Sequence, residues 1–242
     1  MIDYIYYLVA ILICAIISGW ASRKVHSTYA AYASVRARSN MTGYDTAVRL
    51  LRANDIKDVR VDRVRGTLTD HYHPSKGVVN LSQSTYGDTS VAAVAVAAHE
   101  IGHVVQKKKG YLFYTLRSVL VPVVNFGARL ALPLVLVGLI LDLTVYASAQ
   151  TSLGYYLAIA GVALYGASFL FTLVTLPVEL NASKRAANML VEEGVLADDE
   201  VYGAKKVLSA AAMTYLASML TSLVYFLRFL TWVLAMFGRR RR

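Results

Sequence analysis

Two histidines and a glutamate at one spacing carry the chemistry of this chain: His99-Glu100-Ile101-Gly102-His103, an H-E-x-x-H string. On a helix, His99 and His103 fall one turn apart on one face, about 6 Å along the axis. Two neutral imidazoles at that separation can bind one zinc ion, with Zn–N of about 2.0–2.1 Å. Glu100 sits about 60° around the helix from His103, beside such an ion, where it can take a proton from an attacking water and return it to a leaving amine. With five histidines and five glutamates in 242 residues, chance yields this string on the order of 10⁻³ times per chain. The preceding VAAVAVAA is apolar on every side, so the helix predicted over 91–106 must be buried in protein. Imidazoles and a carboxylate are costly in such a place unless they are paired or ligating.

A catalytic zinc takes three protein ligands and leaves one position open. The residues offer several third ligands: Glu179, Glu192, Glu193, Glu200, His26, His71, His73 and the aspartates. Glu179 stands apart, two residues after Pro177, at the start of a helix predicted over 178–193 and ended by Gly194. Asn181 and Ser183 on that helix could hydrogen-bond and orient the ligands. His71 and His73 fall in a predicted turn, and Glu192, Glu193 and Glu200 in a solvated one. The lone Cys14 lies in an apolar block and excludes both a disulfide framework and a cysteine-built metal site.

The elements that must position these residues belong to a membrane protein. Of the residues, 57% are hydrophobic and 17% charged, yet 25 Lys+Arg against 15 Asp+Glu leave a net charge of +10. Tyr4–Trp20 carries no charge and reaches about 25 Å as a helix, close to a bilayer core. Tyrosines stand at one end and Trp20 at the other, as interfacial anchors do. Asp3 precedes this block and Arg23 and Lys24 follow it, the pattern of a retained anchor with its N-terminus outside. A second apolar block, 118–141, is interrupted by Asn125, Arg129 and Pro133, and Arg129 places the start of its span near Leu130. A third, Leu153–Leu176, is uncharged, and Gly154, Ala158 and Gly166 in it allow a neighbouring helix to approach closely. The fourth, Ala210–Phe237, contains Arg228. It either crosses fully, giving four spans against the charge of the tail Arg239–Arg242, or lies re-entrant or interfacial. Arg23, Lys24, Lys107–Lys109, Arg117, Lys184 and Arg185 flank one side, which the positive-inside rule makes cytoplasmic. Lipid headgroups account for the basic balance, and no nucleic-acid-binding motif is present.

The expected organisation is an anchor (1–20), a first catalytic stretch (21–117), a transmembrane hairpin (118–177), a second catalytic stretch (178–209), and an apolar helix with a basic tail (210–242). Thr42 is a predicted N-cap for a helix near 44–53, and Ser90 or Thr89 for the helix at 91. Strands are predicted around Val59–Val64 and Val78–Leu81, with 78–82 as an edge for an extended substrate.

With HEIGH on its apolar helix and Glu179 in VELNASKRA after a transmembrane hairpin, the chain resembles the YugP-type membrane zinc metallopeptidases, and more remotely the M48 group of HtpX-like and CAAX-processing proteases. The strings MTG (41–43), LTDHY (68–72) and AAHEIGH (97–103) strengthen the first match. The resemblance spans almost the whole chain. It implies one Zn²⁺ held by His99, His103 and Glu179, with Glu100 as general base. In the M48 pattern an Asp stands where this chain has Ser183. The expectation is therefore a mainly α, multi-pass protein of a bacterial cell membrane. A zincin-like α+β catalytic domain with a small sheet would be joined to about four apolar helices and act on membrane-associated or misfolded polypeptides. Tyr215 is the candidate oxyanion partner. Two other readings use the same residues: a hydrolase of non-peptide amides or esters, and a membrane scaffold or chaperone whose zinc is structural.

Overall fold

The computed structural model describes residues 2–144 and 153–238. The tip of the expected hairpin and the tail Arg239–Arg242 lie outside the described residues. The chain is mainly helical, with α1 (Ile2–Ala33), α2 (Gly43–Ala53), β1 (Arg60–Val64), β2 (His71–His73), β3 (Val78–Ser82), α3 (Gln83–Tyr86), α4 (Val91–Lys108), α5 (Leu112–Thr144), α6 (Leu153–Glu192) and α7 (Val201–Gly238). It divides into two compact units, one of Met1–Ile17, Thr115–Thr175 and Leu216–Arg242, the other of Ser18–Tyr114 and Leu176–Tyr215.

The first unit is built from parts of the apolar segments. Ile5–Ala33, Leu153–Glu192 and Val201–Met236 are long and apolar enough to cross a membrane, and α5 makes a fourth if its pieces, Leu112–Gly127 and Arg129–Leu141, bent by 45°, count as one span. A Cβ on Gly138 would strike the Gly154 carbonyl and come within 3.0 Å of the Ala158 nitrogen, so α5 and α6 touch backbone to backbone here. Small residues of this kind are what helices without a hydrophobic driving force between them require. Large side chains such as Leu8, Leu12, Phe126 and Ile140 point outward and are more than half exposed. In a unit with so little polar surface, that face suits lipid. Arg228 does not interrupt α7; its guanidinium lies 5.0 Å over the Tyr7 ring, where the cation meets the π face.

The second unit has its own core, in which Leu50 of α2, Leu81 of β3, Ile101 of α4 and Leu190 of α6 are fully buried. Thr42 caps α2 through a reciprocal box: its hydroxyl accepts from the Asp45 amide at 3.0 Å, and the Asp45 carboxylate accepts from the Thr42 amide at 3.1 Å. The three strands pair in the order β1-β3-β2, β1 parallel and β2 antiparallel to β3. A parallel pair cannot be joined by a hairpin, so the chain crosses from β1 to the far side of β3, forms β2, and turns back through Pro74–Gly77.

Three expectations are corrected here. The segment 78–82 is the central strand, hydrogen-bonded on both flanks, and offers no edge to a substrate. His71 and His73 belong to edge strand β2 rather than to a turn. Pro177 does not start a helix but sits inside α6. It removes one rung, and the helix continues past it with Val178, Ala182, Ala186 and Leu190 buried at a spacing of four.

Leu50→Ala tests the core of the second unit. The methyl groups removed are fully buried, so unfolding should become easier by about 2–5 kcal/mol, read as a lower thermal midpoint in detergent. An unchanged midpoint would mean that α2 does not pack as described.

Candidate metal centre

Ser90 starts α4 by accepting from the Ala93 amide at 3.2 Å, and its own amide donates to Asp88 at 2.6 Å. From 91 to 106 every α4 residue is buried except Val96 and His99. Small residues bring α6 against it: a Cβ on Gly102 would lie 2.6 Å from the Ala182 carbonyl oxygen. Only glycine permits this approach, and the approach delivers Glu179 to the histidines.

The Glu179 Oε2 atom lies 3.2 Å from His99 Nε2 and 3.3 Å from His103 Nε2. Donor atoms of these three residues all fall within 4.8 Å of one another, the one such His/Cys/Asp/Glu group among the described residues. Zinc bound at about 2.0–2.1 Å in a tetrahedron separates its ligands by about 3.3 Å, so both measured N···O distances match a tetrahedral edge. The imidazole planes stand at 82° to each other, as two ligands on one ion can.

Each imidazole is fixed from behind. Ser183, on the same face as Glu179 one turn later, places its Oγ 3.3 Å from His99 Nδ1. Gln106, fully buried, was not singled out in the sequence. Its amide nitrogen donates to the Val178 carbonyl at 2.7 Å and to Asn181 Oδ1 at 3.0 Å, and Asn181 also accepts from Arg185 Nε at 2.7 Å. The amide oxygen of Gln106 therefore faces His103 Nδ1 at 3.0 Å, and that nitrogen carries the proton. His103 Nε2 is thereby left to face the Glu179 oxygen at 3.3 Å. Asn181 and Ser183 both lie in this layer. The signal for Gln106 was its place three residues after His103, one turn along the same face.

Glu100 is buried beside the group rather than in it. Burial pushes its carboxyl up to about 7; His99 pulls it down, the charges of Glu179 and Asp70 push it up, and a hydrogen bond from the Tyr72 backbone N–H pulls it down. Burial also acts to raise Glu179, but hydrogen bonds from His103 and His99 outweigh it and hold this carboxyl well below the usual range. His99 and Glu100 border a cavity of about 450 Å³ whose lining also includes His26, Asp70 and Tyr215.

The remaining candidates do other work. His71 bonds Thr69 and Asn80, both at 2.9 Å. Glu200 accepts from the Ala197 and Arg38 amides, and Glu193 stands 3.7 Å from Arg49. His73 and Glu192 lie outside the group.

The chain thus combines apolar helices long enough to span a bilayer with a His-Glu-x-x-His helix and a distant glutamate that together could hold a metal ion. A family model described as "Putative neutral zinc metallopeptidase" matches residues 6–234. The chain is 45% identical over 213 residues to "Putative membrane protease YugP" of Bacillus subtilis (strain 168), covering 88% of this chain and 90% of that protein. The chain belongs to this zinc metallopeptidase family of YugP type. No solved structure matches it.

Gln106→Leu should lower zinc affinity by about 10–100-fold, the usual effect of removing a group that orients a ligand. Competition against a chromogenic chelator measures it, with circular dichroism to verify that the helices persist. Wild-type affinity would remove Gln106 from the support of His103.

Proposed function

We propose that this chain is a membrane-anchored zinc endopeptidase that cuts membrane-associated or misfolded polypeptides. The observation that carries the reading is the approach of one Glu179 oxygen to both imidazole Nε2 atoms at distances suited to a shared zinc. His99, His103 and Glu179 would hold one ion, which when bound supplies Lewis acidity at the scissile carbonyl. Glu100 then takes the proton of the attacking water and delivers it to the departing amine, while Tyr72 and the surrounding core hold its carboxylate in place. Ser183 and Gln106 keep the imidazoles turned with Nε2 forward, and Asn181 keeps Gln106 in register.

The donor set favours catalysis over a structural ion. A structural zinc is closed by four protein ligands, and among the described residues no fourth joins these three. His99 lines the cavity and His103 and Glu179 do not, so the group meets the cavity on the His99 side. Edge strand β2, whose Tyr72 amide reaches Glu100, is the strand on which an extended substrate would add. Residues 18–114 and 176–215 form the zincin-like catalytic unit. The basic residues at the ends of the apolar segments support a cytoplasmic side for that unit.

Zinc analysis and digestion of an unfolded polypeptide, both on the purified full chain in detergent, test this reading. Glu100→Gln should keep its zinc and lose about 10²–10⁴-fold in cleavage rate. Glu179→Ala should lose zinc and cleavage together, and chelation should abolish wild-type cleavage until zinc is restored. A Glu100→Gln protein as fast as wild type would sink the mechanism.

A further inference from the structure

The cavity beside His99 and Glu100 holds about 450 Å³, within the ~300–1,000 Å³ of small-ligand sites. Its apolar lining comes from four stretches of one unit: Val25 on α1, Leu68 in the β1–β2 loop, Val96 on α4, and Val207, Leu208 and Ala211 on α7. Val96 precedes His99 and Glu100 by three and four residues, so it shares their helix face about 5 Å along the axis. It is also one of the two α4 residues between 91 and 106 that escape burial, the other being His99. The floor of the apolar space and the reactive groups are thus successive turns of one surface.

Leu68 supplies the second observation. Its φ is +56°, a left-handed conformation that is strained for a leucine. Its side chain packs on the cluster of Tyr29, Ala92 and Val207, as does that of Val96. The loop is tied on both sides of it. Thr69 donates its hydroxyl to the Arg65 carbonyl at 2.9 Å, and Asp70 accepts from the Ser82 amide and hydroxyl at 2.7 and 2.8 Å. Backbone strain persists where surrounding contacts over-determine it, and such sites cluster at ligand clamps. Here the strained residue is an apolar one forming a cavity wall.

We propose that this cavity is the specificity pocket of the peptidase, receiving the side chain of a bulky aliphatic or aromatic residue next to the scissile bond, with Leu68, Val96 and Ala211 setting its size. The assignment rests on the peptidase reading and adds the substrate class to it. Polypeptides whose leucine- or phenylalanine-like residues are exposed, as in unfolded or membrane-derived segments, are the ones this pocket selects. An acidic side chain would lose its hydration against these six residues and meet the Asp70 and Glu100 carboxylates of the same lining.

The test uses the zinc-loaded full chain in detergent with unfolded casein, cut sites mapped by mass spectrometry, followed by peptides that differ only in the residues flanking one bond. Wild type should concentrate its cuts at Leu, Phe, Ile or Met in one flanking position. Ala211→Phe, which fills the pocket, should lower the rate ratio of bulky over small residues at that position by about tenfold or more. Leu68→Gly removes a wall while suiting the left-handed backbone. It should weaken the same preference severalfold without lowering the thermal midpoint, and it carries the test should Ala211→Phe not fold. Cuts with no apolar preference, or the wild-type ratio in both folded variants, would overturn the pocket assignment and leave the peptidase reading standing. A zinc-loaded wild type that cleaves nothing would overturn both.

Discussion

A buried carboxylate facing two imidazole nitrogens is the interaction on which the rest of this molecule depends. Glu179 is 2% exposed, and a charge that far from water is strongly penalised unless it is paired or bound to a cation. Its oxygen meets both Nε2 atoms, and the far nitrogens are committed elsewhere, to Ser183 for His99 and to Gln106 for His103. The far nitrogens thus hold both rings with Nε2 turned to the Glu179 oxygen. The core leaves one place for a cation and spends its hydrogen bonds on keeping that place in shape.

The packing of α4 on α6 follows from the same constraint. Glu179 reaches the histidines because Gly102 allows the α6 backbone at Ala182 into van der Waals contact, and because Gln106 ties the same helix through the Val178 carbonyl. The stripe Val178, Ala182, Ala186 and Leu190 carries that contact along α6. Residues between its members, Glu179, Asn181 and Ser183, are left to face the imidazoles and their supports. One helix surface thus does the packing while its neighbour does the chemistry, with a spacing of four residues in both.

Much of this arrangement could be read without coordinates, because it depends on spacing within single helices. His99 and His103 share a face in any helix, and Glu179 was conspicuous as a lone carboxylate in an apolar run just after Pro177. The capping of α2 by Thr42 and of α4 by Ser90 was equally local. What escaped depends on partners distant in the chain. Gln106 looks like one polar residue near a helix end until α6 supplies the Val178 carbonyl and Asn181. The central position of β3 follows from β1 and β2 flanking it, an order that alternation along 78–82 does not encode. Pro177 reads as a boundary because its local cost is plain, whereas the burial of the stripe that follows it is a tertiary property.

Two buried carboxylates, Glu179 on α6 and Glu100 on α4, are shifted in opposite directions, and their surroundings account for the difference. Glu179 receives hydrogen bonds from two imidazoles and stays ionised despite its burial. Glu100 has one backbone N–H from Tyr72 and feels the charges of Glu179 and Asp70, so burial dominates and its carboxyl rises to about 7. A group that is always charged suits a ligand, and one poised between charged and neutral suits proton transfer; the same separation marks acid–base pairs in many active sites. A bound divalent cation would favour the charged form of both, and of Glu179 more strongly because it is in contact. Occupancy of the centre would therefore preserve the order of the two groups, which the hydrogen bonds of α4, α6 and β2 establish before any ion arrives.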